Sequence, residues 1–192
     1  MTDIKAIIFD CFGVLTTESW LEFKQLYFGA DSDKMQRATE INKLLNTRLL
    51  SYEQGAAELA ELAGIRVAEI HSMFRDVSLN KPLFHYIEHE LKPKYKIGLL
   101  SNVSGSWVYT KFSEQQLNLF DAMVLSSDLG YTKPHRIAYE AIADRLGLLL
   151  EECLFIDDQE RNTIGAQEVG MQAICYTDLE QLTAAIHSLA KA

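Results

Sequence analysis

Five short apolar runs, Ala6–Phe9, Ile97–Leu100, Met123–Leu125, Leu154–Ile156 and Ala173–Tyr176, punctuate a chain whose other hydrophobic residues recur at helical spacing. Continuous hydrophobicity, without the alternation of a half-solvated strand, predicts parallel strands buried on both faces. Amphipathic stretches follow each of the last four runs: Gly105–Leu117, Arg136–Leu146 ending at Gly147, Arg161–Val169 ending at Gly170, and Asp178–Leu189 opening with an Asp178-x-x-Gln181 capping pattern. This β-α alternation predicts an α/β fold with a Rossmann-like, doubly wound parallel sheet.

The first two runs break the pattern, because roughly eighty residues separate them, far more than a crossover helix needs. Within that stretch Ser19–Phe28, Lys34–Leu45, Ser51–Ala63 and Val67–Val77 read as amphipathic helices, and Ser51-x-x-Gln54 reads as a capping box. The predicted organisation is a core of residues 1–15 and 82–192 with a helical cap inserted over 16–81. Trp20, Phe23, Tyr27 and Phe28 are expected to form the core of that cap rather than a substrate platform.

Polar residues stand just beyond the runs: Asp10 after the first, Ser101 and Asn102 after the second, and Asp157 with Asp158 after the fourth; Lys133 follows the third after a short loop. Ligand sites in open α/β sheets lie outside the carboxyl ends of the strands. These residues are therefore predicted to meet in one active site, with a carboxylate nucleophile, a hydroxyl, a fixed cation and an acid pair suited to metal. His85 and His89 share a helical face but lack a third ligand, so they do not read as a metal site.

Composition narrows the function. A formal net charge of -9 over 192 residues excludes a nonspecific grip on nucleic acid or on an anionic membrane, both of which need a basic surface. No apolar run approaches the ~18 residues of a membrane span, and the amino terminus has no secretory pattern, so a cytoplasmic location is expected. Cys11, Cys153 and Cys175 lack CxxC spacing and are expected to be buried free thiols.

The strings IIFDCFGVL, LLSNVS, SSDLGYTKPHRIAYEAIADRLG and FIDDQERNTIGAQEVGM stand in an order and spacing that resemble the haloacid dehalogenase-like hydrolase superfamily, with a helical cap after the first motif. LSSDLGYTKP and FIDDxxxN further resemble a group of small sugar-phosphate phosphatases that includes a glucose-1-phosphate phosphatase. The resemblance implies a magnesium-dependent phosphatase acting on a small phosphorylated metabolite through an aspartyl-phosphate on Asp10. It implies that Mg2+ is held by Asp10, the Phe12 backbone carbonyl and Asp158. Asp157 would bind directly, through water, or from behind. Ser101, the Asn102 backbone N–H and Lys133 would hold the phosphoryl group, and Asn162 would orient Lys133 or the acid pair.

One position departs from the family pattern. Phe12 stands where most such phosphatases carry an acid/base aspartate, and a phenyl ring transfers no proton. An aromatic residue there also occurs in metal-independent 2-haloacid dehalogenases, whose last motif usually lacks paired acids. A binding or regulatory protein with impaired catalysis is the remaining alternative.

Overall fold

The computed structural model describes residues 3–17, 19–75, 77–103 and 105–189. Its strands are β1 Ala6–Phe9, β2 Lys96–Ser101, β3 Ala122–Leu125, β4 Cys153–Asp157 and β5 Gln172–Cys175. They form one parallel sheet in the order β3-β2-β1-β4-β5. The helices are α1 Trp20–Phe28, α2 Ser32–Asn46, α3 Tyr52–Ala63, α4 Val67–Arg75, α5 Lys81–Tyr86, α6 Gly105–Lys111, α7 Glu114–Leu117, α8 Ser126–Leu129, α9 Arg136–Leu146, α10 Glu160–Glu168 and α11 Leu179–Leu189. A π turn over Ile87–Leu91 prolongs α5.

Successive side chains of a strand serve opposite faces, and β1 uses both. Ile7 and Phe9 join Leu83, Val108 and Ile186 on one side, while Ala6 and Ile8 join Tyr139, Ile142 and Ala166 on the other. Full burial of each such large apolar side chain is worth about 1.5–3 kcal/mol, so the central strand anchors both layers. The strand order reverses direction between β1 and β4, which makes the crevice at their carboxyl ends the topological switch point.

Helices α1–α4 form a lobe with an apolar cluster of its own, built on Phe23, Phe28, Ile41, Leu59 and Ile70. Local chemistry sets its helix ends. Asp31 caps α2 by accepting from Lys34 N at 3.0 Å. The Ser51 and Gln54 capping box opens α3. Two adjacent chain segments join lobe and core: Thr17 N donates to Ser78 O at 2.9 Å, and Ser78 N donates to Thr17 Oγ1 at 3.1 Å. Asn80 caps α5 and also donates its side-chain amide to Val14 O and to the Tyr176 hydroxyl.

Several elements differ from the sequence expectation. Gly105–Leu117 is two helices, because Ser113 leaves the helical track and makes a capping box with Gln116. The fourth lobe helix ends by Arg75, short of Val77. β5 is not buried on both faces: as the last strand of the sheet it has Gln172, Ala173 and Ile174 half-buried and Cys175 exposed. Cys175 is therefore not the buried thiol that its apolar context suggests, unlike Cys11 and Cys153. No helix among the described residues is long and apolar enough to cross a membrane.

Burial pushes the Cys153 thiol up to about 11, which suppresses its thiolate; Cys175 is exposed, although partial burial and the nearby Asp157, Asp158 and Glu160 carboxylates raise its thiol too. In native protein at neutral pH one thiol per chain, Cys175, is expected to react promptly with a maleimide or disulfide reagent, the other two only on unfolding. Mass-spectrometric mapping of the label checks this, and labelling of Cys153 at the same rate as Cys175 would contradict the packing described.

Candidate active site

The loop after β1 is wound tightly around one carbonyl. Leu15 N and Thr16 N both donate to Cys11 O at 2.9 Å, and Thr16 Oγ1 donates to it at 3.2 Å. This turn presents Asp10, whose Oδ1 accepts from Cys11 N at 2.6 Å and faces the Lys133 ammonium at 2.7 Å. Lys133 Nζ also donates to Asp157 Oδ2 at 2.6 Å. Asp10 and Asp157 are neighbours by construction, since the parallel register pairs Phe9 with Ile156 one residue earlier on each strand.

Each member is held from behind. Asp157 accepts from Gln159 N at 2.8 Å and from Asn162 Nδ2 at 3.0 Å to each oxygen. Asn162 is in turn gripped by the Tyr139 hydroxyl, which donates to its carbonyl at 2.7 Å. Burial pushes the Tyr139 phenol well above its usual range, keeping it a donor. The Asn102 side chain embraces the Lys133 backbone, accepting from its N–H at 2.7 Å and donating to its carbonyl at 3.1 Å. Ser101, the last residue of β2, has a buried hydroxyl with no hydrogen-bond partner among the described residues. A buried polar atom left unpaired costs about 1–3 kcal/mol, so this one is set for something that enters the site.

Charge in the site does not balance. Burial pushes the Asp10 carboxyl well above the usual carboxylate range; the Lys133 ammonium opposes this and Asp157 adds to it. Burial also pulls Lys133 down, but two carboxylates in contact outweigh it and hold its pKa above the ordinary lysine value. One ammonium thus serves Asp10 and Asp157, and a third carboxylate, Asp158, adds to them: all three offer an oxygen within 4.8 Å of the others. Gly13 makes room for the third carboxylate: at φ 80° it lies where an added Cβ would be 2.4 Å from Asp158 Cγ and Oδ2. Hard oxygen donors in excess of cations, with a notch kept open for one of them, fit a small divalent cation.

The sequence profile of haloacid dehalogenase-like hydrolases matches residues 4–170. The chain belongs to this family. Over 190 residues it is 30% identical to phosphatase MT3486 of Mycobacterium tuberculosis (strain CDC 1551 / Oshkosh), covering 88% of this chain and 86% of that protein. A predicted HAD-like family hydrolase from Porphyromonas gingivalis superposes over 100% of both chains with a TM-score of 0.76 at 24% identity. An HAD family enzyme of Bacteroides thetaiotaomicron, solved with magnesium and inorganic phosphate, superposes over 93% of this chain and 98% of its own with a TM-score of 0.70 at 24% identity. The fold is thus shared with the first over the whole chain and with the second over 93% of it.

Around the acid–lysine cluster the hydrolase has a cavity of about 650 Å³, bounded below by the sheet and above by the lobe. Asp10, Phe12, Ser101, Asn102, Lys133 and Asn162 all line it. Phe12 turns its ring onto Trp107, with centroids 4.7 Å apart, and Trp107 is a wall residue that motif reading overlooked. From the lobe, Trp20, Lys24, Asn42 and Arg48 line the cavity, whereas Arg37 pairs with Glu58 at 2.7 Å. Trp20 is thus more than lobe core: it packs on Phe23 and still faces the cavity. Tyr139 was also missed, although a hydroxyl in the apolar stripe Ala138, Tyr139, Ile142, Ala143, Leu146 signals a buried partner. His85 and His89 stack at 4.2 Å, and the one metal-competent acid, His or Cys cluster of three among the described residues is the aspartate set.

Gly13→Ala is expected to cost about 1–3 kcal/mol of stability, from backbone strain at positive φ and from displacement of the Asp158 carboxylate. Urea unfolding of the variant beside wild type measures it, and an unchanged midpoint would mean that the notch is roomier than described.

Proposed function

We propose that the protein is a magnesium-dependent phosphatase that hydrolyses a phosphoric monoester of a small metabolite through an aspartyl-phosphate on Asp10. The observation that carries this reading is the third carboxylate. Displacing halide from carbon needs a nucleophile and an anion-binding group, but no third carboxylate, Asp158, clustered with the Asp10 and Asp157 that Lys133 already joins. A dianionic phosphoryl group approaching Asp10 needs more positive charge than Lys133 alone supplies.

Asp10, the Phe12 carbonyl and Asp158 are the groups that would hold Mg2+. Asp157, with both oxygens already committed to Lys133, Gln159 and Asn162, serves as support. When bound, the ion would neutralise the carboxylates and polarise a phosphoryl oxygen. Asp10, oriented by Cys11 N–H and Lys133, attacks phosphorus while the ester P–O bond breaks and the alkoxide or aryloxide leaves with the bonding pair, taking a proton from solvent. Ser101 Oγ and the Asn102 N–H donate to phosphoryl oxygens, and Lys133 offsets the charge that builds on them. Water then attacks the same phosphorus, the bond to Asp10 breaks, and phosphate leaves with the carboxylate restored. Residues 16–81 act as a cap that shields the covalent intermediate from bulk water.

Phe12 sets the limits of this chemistry. It cannot protonate the departing oxygen, and among the described residues that line the cavity the only carboxylate is Asp10 itself. General acid catalysis is worth about 10²–10⁴-fold, so good leaving groups are favoured by about that factor over simple alkoxides.

Phosphate release from acetyl phosphate and aryl phosphates, with Mg2+ and with chelator, tests the assignment. Activity is expected to require the metal, to fall by about 10³-fold or more in Asp10→Asn with its fold checked by circular dichroism, and to favour an aryl over a primary alkyl phosphate by about 10²-fold or more. Chloride release from 2-chloropropionate that ignores the chelator would replace the phosphatase with a dehalogenase.

A further inference from the structure

The lobe side of the cavity carries an apolar stretch that phosphate chemistry does not need, beside polar groups that include Ser19, Thr39, Asn42 and Ser51. Leu45, Leu50, Ala56, Leu59, Ile70 and Phe74 line it from α2, α3, α4 and the α2–α3 loop. Burial sorts this wall by depth. Ala56, Leu59 and Ile70 are at most 2% exposed yet still border the cavity, so they mark its inner end, whereas Lys43, Arg48 and Tyr52 are exposed and stand at its mouth. The absent side chain at Gly55 helps keep the space open: an added Cβ would meet Leu45 Cδ2 at 2.5 Å, so Leu45 lies against α3. Where the wall meets the acid–lysine floor, Phe12 and Trp107 continue the apolar surface.

We infer that the part of the substrate's body seated on this apolar stretch is a hydrocarbon, aliphatic or aryl; this rests on the phosphatase reading of the same site. A sugar ring pushed against these six side chains would leave hydroxyls without partners, each costing about tenfold or more in affinity. A methylene moved from water onto the same wall gains about fourfold. A cavity of about 650 Å³ encloses a phosphoryl group together with a body of that kind. Cations at the mouth, Lys43 and Arg48 among them, favour entry of the anionic ester despite the net charge of -9 on the chain.

A series of 4-alkylphenyl phosphates, methyl through hexyl, assayed with Mg2+, reads the wall alone, because the phenols share nearly one leaving-group strength. The expected kcat/KM rises about fourfold per methylene over the first additions and then levels off. The matched pair 4-ethylphenyl and 4-(hydroxymethyl)phenyl phosphate is expected to differ by about tenfold in favour of ethyl. Leu50→Asn is expected to collapse the butyl-to-methyl ratio toward one. That ratio is measured on a single preparation, so a partly folded variant still reports it, and Leu45→Asn supplies a second reading. Turnover of methylphenyl phosphate with a flat series, or with the hydroxymethyl ester preferred, overturns the hydrocarbon body and leaves the phosphatase standing. No phosphate from any ester or from acetyl phosphate overturns both.

Discussion

Lys133 is enclosed at 3% exposure, with its ammonium 2.7 Å from Asp10 and 2.6 Å from Asp157. Taking one such ion out of water costs several kcal/mol, and the arrangement persists only because both carboxylates are delivered to it with their remaining hydrogen bonds filled. Delivery comes from the sheet. Strands β1 and β4 are adjacent and in register, so Asp10 and Asp157 emerge side by side, and Asn102 from the end of β2 ties down the lysine's own backbone. Truncating either acid would leave a buried charge short of a partner, a defect typically worth about 3–5 kcal/mol. The same contacts that stabilise this end of the sheet also aim the proposed nucleophile.

Those contacts leave the site with negative charge in excess, and the chain meets the excess locally rather than globally. Asp158 is tucked into the notch at Gly13, where a divalent ion would meet it and Asp10 just beyond the ends of β4 and β1, with Asp157 behind them. Above them, among the described residues, the lobe bonds to the core through the paired segments at Thr17 and Ser78, the Arg48–Asp128 ion pair at 2.9 Å, Ser126 Oγ donating to Asn46 O at 2.7 Å, and Lys111 Nζ donating to Arg75 O. An exposed ion pair of that kind contributes about 0–1 kcal/mol, so the seam at the cavity mouth is weak beside the two cores it joins. A weak seam over a rigid floor is the mechanical form that a closing cap requires.

Much of this was legible in the sequence, for a definite reason. Parallel strands buried on both faces have no solvent side, so Ala6–Phe9 and Cys153–Asp157 announce themselves as unbroken apolar runs, and the polar residue that ends each run must lie at the ligand-binding edge. Asp10, Ser101, Lys133 and Asp157 were found on that logic. The failures also have physical causes. β5 reads as a buried strand because composition does not reveal that it is the last in the sheet, and Ser113 interrupts a stretch whose apolar spacing alone looks like one helix. In the lobe, helical periodicity identifies an apolar stripe without telling whether it meets another helix or a cavity. Phe28 and Ile70 look alike in sequence, yet both are core and only Ile70 also borders the site.

Position 12 draws the two halves of the molecule together. An aspartate there would stand at the junction of floor and wall as an acid for the leaving group, and would also put a fourth carboxylate beside three that one lysine only partly offsets. Phenylalanine relieves that charge and forfeits proton transfer. Its ring, packed on Trp107, extends the hydrocarbon surface of the lobe down to the attacking carboxylate. If the proposed phosphatase is built this way, the part of the ester that departs meets apolar atoms of Phe12 and Trp107 next to the reacting phosphorus. Turnover would then depend on how well the departing oxygen carries its own negative charge.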